Sequence, residues 1–239
     1  MGKDKLKRFR EMEAFDIVVQ PLFEEVFHND HRLKGRWRED FFSNGGPIVL
    51  ELGCGRGEYT VAMARMFPDR NFIGVDIKGA RMWRGAKTAV EEGLGNAAFL
   101  RTRIEFIESL FGPGEVDEIW ITFPDAQLDK KRIKKRLTAP AFLKMYSRFL
   151  KPGGVVRLKT DSLHLHLYTK AVAEANGLPI AGCSADIYGT EGYAGELLSV
   201  KTAYESRFLA EGLPITYLEF GLDGRDDFSN IEFAPDSEL

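Results

Sequence analysis

Five short apolar runs alternate with helical stretches along this chain, and that alternation restricts the fold more than any other feature. Ile48–Leu52, Asn71–Asp76, Ala97–Leu100, Glu118–Phe123 and Val155–Thr160 read as strands. Glu58–Phe67, Lys78–Glu92, Ala139–Leu150 and Leu163–Asn176 read as helices, the second stopped by Gly93-Leu-Gly-Asn96. Ile215–Phe220 is a weaker strand signal. Strands alternating with helices of this length predict right-handed βαβ units and a mostly parallel sheet, helices on both faces: an α/β fold. With 239 residues, 44% of them hydrophobic, the chain can bury a large core within one domain. The break Ser43-Asn-Gly-Gly-Pro47 sets off residues 1–44, which mix charges with aromatics and predict one or two capping helices. The expected organisation is a helical extension over 1–44, the α/β domain over 45–220 and an acidic tail over 221–239, disordered or a flexible cover. Trp83 and Trp120, on predicted helix and strand, are expected in the core.

Several classes are excluded. No apolar run approaches the roughly 18 residues of a membrane span, and the Lys/Arg-studded N-terminus lacks the hydrophobic region of a secretory signal. Cys54 and Cys183 stand far apart without CxxC spacing, which argues against a disulfide framework or zinc and fits a reducing cytoplasm. The pairs His28/His31 and His164/His166 have no matching third ligand, so no metal is expected. The net charge of −3 hides an uneven distribution. Residues 221–239 carry −5, leaving +2 on the other 220, while residues 129–136 hold six bases and one acid. Such a local block can bind phosphates whatever the total charge.

In parallel α/β sheets, ligands sit outside the carboxyl ends of the strands. Those ends are Glu51-Leu52, Asp76, Phe123-Pro-Asp125 and Thr160-Asp161, and several terminate in acids that a hydrophobic core does not require. The loop "ELGCGRGEY", residues 51–59, places Gly53, Gly55 and Gly57 between the first strand and its helix, where they admit positive φ and close ligand approach. Asp76 ends the next strand, placed to accept hydrogen bonds from ribose hydroxyls. A dinucleotide calls for G-x-G-x-x-G and an uncluttered phosphate site. Here the spacing is G-x-G-x-G and Glu51 precedes it, which disfavours NAD-type oxidoreduction and suits a cofactor carrying an ammonium and a sulfonium, such as S-adenosylmethionine.

These residues resemble the seven-stranded, Rossmann-like class I methyltransferases, whose E/D-x-G-x-G-x-G motif is matched by Glu51–Gly57 and whose acidic end of strand two is matched by Asp76. Further motifs resemble the bacterial tRNA guanine-N7 methyltransferases: Phe123-Pro-Asp125 followed by a Lys/Arg block, Lys159-Thr-Asp161, Thr202-Ala-Tyr-Glu205 and Glu91–Asn96. That family carries F-P-D-P-W-x-K-x-x-H-x-K-R-R. This chain departs from it at Ala126, Gln127, Asp129 (a lysine in the family), Arg132 (a histidine) and Arg103 (an acid beside the adenine).

The resemblance implies methyl transfer from S-adenosylmethionine to N7 of a tRNA guanosine, with S-adenosylhomocysteine as co-product, by a monomer or homodimer. It places Asp125 at the reaction centre, touching cofactor and base. It implies cofactor binding by Glu51, Gly53, Gly55, Gly57, Asp76 and Arg103. Substrate binding falls to Lys130, Arg132, Lys134, Lys135, Arg136, Asp161, Thr202, Tyr204 and Glu205. The chemistry is self-consistent, because guanine N7 has an in-plane lone pair and needs no general base. Orientation then dominates, a proximity effect that can contribute ~7–11 kcal/mol at best. Two other readings stay open: the same fold acting on another RNA base or a small molecule, and a catalytically inactive RNA-binding relative.

Overall fold

A computed structural model of the chain describes residues 3–190, 195 and 198–233. The chain divides into two compact units, Met1–Asp117 and Glu118–Leu239. Eight strands are described, four in each unit, where seven were expected.

The first unit orders its strands β1 (Val18–Val19), β4 (Ala97–Arg101), β3 (Asn71–Asp76), β2 (Ile48–Leu52), every pairing parallel. β2 is buried at all five positions, which is why its apolar run does not alternate. Register pairs Glu51 with Gly74 and Asp76 with Arg101, so acids and loops emerge together at the carboxyl ends. Helix α3 (Glu58–Met66) follows β2 and α4 (Gly79–Glu91) follows β3. α4 ends in a Schellman motif at Gly93-Leu94: the Leu94 N–H donates to Ala89 O and the Gly93 N–H to Val90 O.

Residues before 45 are integral to this unit. Helix α1 (Lys3–Glu13) lies against α4, and a single turn, α2 (Phe23–Val26), precedes a π-helical turn over Trp37–Phe42. Trp37 is fully buried, stacks on Phe111 at 5.3 Å and donates its indole N–H to Leu110 O at 2.8 Å. The buried Glu115 carboxylate accepts from the N–H groups of Gly35, Trp37 and Gly112, closing that corner. The two-residue β1 accounts for the extra strand; it was invisible in sequence because it is too short to show a period. Trp83 departs from expectation. It is only half-buried, donates to Glu11 Oε2 at 2.7 Å and lies beneath the cations of Arg8 and Lys87.

In the second unit the order is β5 (Val116–Thr122, straddling the boundary), β6 (Leu150–Thr160), β8 (Thr216–Gly221), β7 (Ile180–Ser184), with β8 antiparallel to both neighbours. β6 begins five residues earlier than its apolar core suggested, and α5 (Pro140–Tyr146) is shorter than its predicted span to Leu150. α6 (Leu163–Ala175), capped by Ser162, and α7 (Ala203–Ala210), capped by Thr202, complete the unit. Trp120 is buried as expected. Tail residues 234–239 lie outside the described residues. No described helix is long and apolar enough to cross a membrane.

Candidate active site

The glycine loop of the first unit is built as a cradle. Gly53, Gly55 and Gly57 take φ of 81°, 56° and 70°, the left-handed region that L-residues enter at a penalty of roughly 1–2 kcal/mol. Backbone bonds from Gly53 and Cys54 to Val75 O fix the loop to the end of β3. Asp76, half-buried, accepts from the Gly55 N–H at 2.9 Å and the Lys78 N–H at 2.7 Å, so its carboxylate is aimed before any ligand arrives. Glu51 is buried at 6% exposure, and its Oε2 accepts from the Thr60 N–H at 2.9 Å and from the Thr60 hydroxyl. An acid at the start of α3 suits the positive end of that helix. Burial, followed by the nearby charges of Glu51 and Asp76, drives the Cys54 thiol well above its ordinary pKa, which disfavours the thiolate.

The three glycines differ in what surrounds them. A Cβ on Gly53 would meet nothing within 4 Å, and one on Gly55 only Gly53 O at 3.9 Å. One on Gly57 would collide with the Phe99 ring and lie 3.2 Å from Gly85 Cα. The first two keep space open for a ligand; the third lets α3 and α4 approach. Gly57→Ala is therefore expected to lose about 2–5 kcal/mol of stability, from the positive φ together with overpacking. Gly53→Ala should lose only about 1–2 kcal/mol, with weaker cofactor binding as its main effect. Chemical denaturation of both variants checks this; equal losses would contradict the division of roles.

Arg103 is exposed and caps a 3-10 helix over Ile104–Ser109. It lines an open cleft of about 600 Å³ with Ile77, Thr102, Phe106, Gln20 and Phe23. The cleft starts where β3 and β4 end, and the segment after β1 supplies one wall. Sequence reasoning missed Gln20 and Phe23, since nothing local marks a segment that becomes a wall only through an edge strand.

In the second unit, the Asp125 loop follows β5. Phe123 and Gln127 both hold left-handed backbone, at φ 47° and 48°, unusual for such residues and destabilising by roughly 1–3 kcal/mol each unless the surroundings impose it. The Phe123 N–H donates to Lys159 O at 2.8 Å, and its ring lies 6.0 Å from that of Phe208 on α7. Asp125 is exposed, and its Oδ1 accepts from the Gln127 N–H at 3.0 Å, which fixes the carboxylate at the loop tip.

The basic block is a 3-10 helix over Lys130–Lys135. Asp129 caps it by accepting from the Lys131 N–H at 2.9 Å, which gives a physical reason for an acid at a position the resemblance fills with lysine. Lys131, Arg132, Lys134 and Lys135 are exposed; for Lys130 only the backbone is described. Arg136 is the correction within this block. At 1% exposure it points inward, donating to Ala126 O and Gln127 O, contacting His164 Nε2 at 2.8 Å and covering the Tyr168 ring at 4.2 Å.

The Thr202-Ala-Tyr-Glu205 motif divides similarly. Thr202 caps α7, accepting from the Glu205 N–H at 3.2 Å. A Ser/Thr with Glu three residues on is a helix-start signature, so this part was readable in the sequence. Tyr204 is 45% exposed. Glu205 is fully buried, pairs with Lys159 Nζ at 2.8 Å and accepts from the Tyr188 hydroxyl at 2.6 Å, which corrects the expectation that it meets substrate directly. Lys159 also donates to Leu198 O and Val200 O; burial lowers its pKa and Glu205 opposes that. Asp161 is half-buried, and burial raises its carboxyl above the ordinary range. Among the described residues no group of His, Cys, Asp and Glu could hold a metal ion.

Fold and cradle together define a Rossmann-like methyltransferase. A family model described as "Putative methyltransferase" matches residues 45–218. The tRNA (guanine-N(7)-)-methyltransferase of Christiangramia forsetii is 55% identical over 92% of this chain and 98% of its own length. That of Porphyromonas gingivalis is 51% identical, covering 95% and 94% respectively. The chain belongs to the tRNA (guanine-N(7)-)-methyltransferase family. Among solved structures, the 16S rRNA methyltransferase KamB shares the fold, with a TM-score of 0.55 and 19% identity over 77% of this chain and 92% of that one.

Proposed function

We propose that this protein transfers the methyl group of S-adenosylmethionine to N7 of a guanosine in tRNA, giving 7-methylguanosine and S-adenosylhomocysteine. What carries the reading is the presence, in one member of this family, of an open glycine cradle with a pre-aimed acid and of an exposed, internally fixed carboxylate at Asp125. Gly53, Gly55 and Gly57 would pass the cofactor's amino-acid end close to the backbone, Asp76 would accept from its ribose hydroxyls, and Glu51 would face its ammonium. Arg103, at the mouth of its cleft, would border the adenine. When bound, the cofactor supplies an electrophilic methyl on a sulfonium.

The protein's own part is orientation. Asp125 accepts from guanine N1–H and the 2-amino group, which turns N7 to the methyl and favours the positive charge that develops on the purine. No residue needs to take a proton. Lys130, Lys131, Arg132, Lys134 and Lys135 engage the sugar-phosphate backbone, giving affinity and register rather than sequence choice. The target base must leave its stack in the folded tRNA, and Tyr204 offers it an aromatic face. Asp161 bounds the base site. The reading places the enzyme in the cytoplasm with its tRNA.

Calorimetry and strand cleavage test this together. S-Adenosylmethionine should bind the protein, and tRNA incubated with both should acquire a borohydride/aniline-sensitive site at one guanosine. Absence of cofactor binding would favour an inactive RNA-binding relative; a methyl mark without cleavage would favour another target atom.

A further inference from the structure

The basic block contains one residue that its surroundings set apart. Arg136 ends the 3-10 helix through its own N–H to Ile133 O, yet its side chain turns inward while Lys131, Arg132, Lys134 and Lys135 face solvent. Its Nε donates to Ala126 O at 3.0 Å and Nη2 to Gln127 O at 3.2 Å. An arginine has no acceptor, so the 2.8 Å contact from Nη2 makes His164 Nε2 the acceptor. The guanidinium plane is completed by the Tyr168 ring at 4.2 Å, an arrangement lysine cannot reproduce. The two carbonyls it holds belong to the loop whose tip is Asp125 and whose ends, Phe123 and Gln127, are both left-handed. A loop in that conformation persists only where something imposes it.

We propose that Arg136 is the positioning residue of the Asp125 loop: a buried guanidinium, bracketed by His164 and Tyr168, that clamps the Ala126 and Gln127 carbonyls and so sets where the Asp125 carboxylate stands. This rests on the reading of Asp125 as the base-orienting group, and it removes Arg136 from the phosphate-binding set. It also gives the departures at Ala126 and Gln127 a context. The bracket reads their backbone oxygens and is indifferent to their side chains. Among the described residues, Arg136 Nη1 and Gln127 Oε1 are moreover a buried donor and acceptor with no hydrogen-bond partner, on the two residues the bracket joins.

The test compares Arg136→Lys with Lys134→Ala and wild type, measuring kcat, KM for tRNA at several salt concentrations, cofactor affinity and hydrogen exchange over residues 123–128. Arg136→Lys is expected to lower kcat roughly 10–100-fold, the scale at which small misplacements act. KM, its salt dependence and cofactor affinity should stay near wild type, while exchange in the loop quickens. Lys134→Ala should instead raise KM and lower the log–log salt slope by about one, as expected for a lost phosphate contact. Arg136→Lys behaving like Lys134→Ala, or unchanged kcat and unchanged exchange, would overturn the proposal. Should Arg136→Lys not fold, His164→Leu keeps the guanidinium and removes one bracket, and the same pair of readouts decides. Exchange is independent of turnover, so a wild type that does not methylate tRNA would sink the functional reading and leave the bracket still testable.

Discussion

Replacing Asp125 by Asn is expected to lower kcat/KM for tRNA methylation by roughly 10²–10³-fold, the usual effect of removing one preorganised electrostatic contact from a reaction centre. The amide retains an oxygen that can accept from the Gln127 N–H, so the loop turn survives. What changes is the outward group: an acceptor becomes a donor facing the guanine N1–H and 2-amino, and the negative charge that favours a positively charged purine is gone. Steady-state kinetics with calorimetry separates the effects. Cofactor affinity should remain within about twofold, because the account assigns Asp125's energy to the base and the transition state. Full retained activity would remove Asp125 from the mechanism, and a parallel loss of cofactor binding would move it into the cofactor site.

The largest effect on stability is expected at Glu205. Lys159 and Glu205 are both at 0% exposure and 2.8 Å apart. Truncating Glu205 to Ala leaves a buried ammonium beside the Leu198 and Val200 carbonyls without its counter-charge, and takes from the Tyr188 hydroxyl its 2.6 Å acceptor. Breaking a buried pair from one side destabilises by about 3–5 kcal/mol. For a chain of this size that corresponds to a Tm lower by roughly 6–20 °C. Glu205→Gln, which can still accept from both partners, should fall between Ala and wild type. The double variant Lys159→Met/Glu205→Leu should recover most of the loss, because it removes both buried charges. Calorimetric melting of the four proteins checks the series; an Ala variant as stable as wild type would show that the pair holds nothing together. Phe208 on the same helix packs near Phe123, so a loosened α7 should also reduce activity through the Asp125 loop.

These two sites show where the sequence was informative. β2 and β3 were placed to the residue, because buried strands of parallel sheets are mainly apolar runs without alternation and theirs are marked by Gly-Pro, Gly and a terminal Asp. The cradle was legible for a similar reason: its glycines serve backbone conformation, and conformation is local. Charged residues carry no such local mark. Arg136 stands in a run whose neighbours are solvated, and Glu205 follows an exposed tyrosine, so their burial is decided by partners 9 to 46 positions away in sequence. Asp129 lay between, looking like a departure until its role as a helix cap was visible. The short β1 and the half-exposed edge strand β7 escaped because neither shows a clean period.

The most direct measurement is nucleoside mass spectrometry of a tRNA transcript lacking 7-methylguanosine, after incubation with the purified protein and S-adenosylmethionine. 7-Methylguanosine is expected to appear, approaching one per tRNA, and to form roughly 10²–10³-fold more slowly when Asp125→Asn replaces wild type under the same conditions. A different methylated nucleoside, or an unmodified transcript despite bound cofactor, would contradict that expectation.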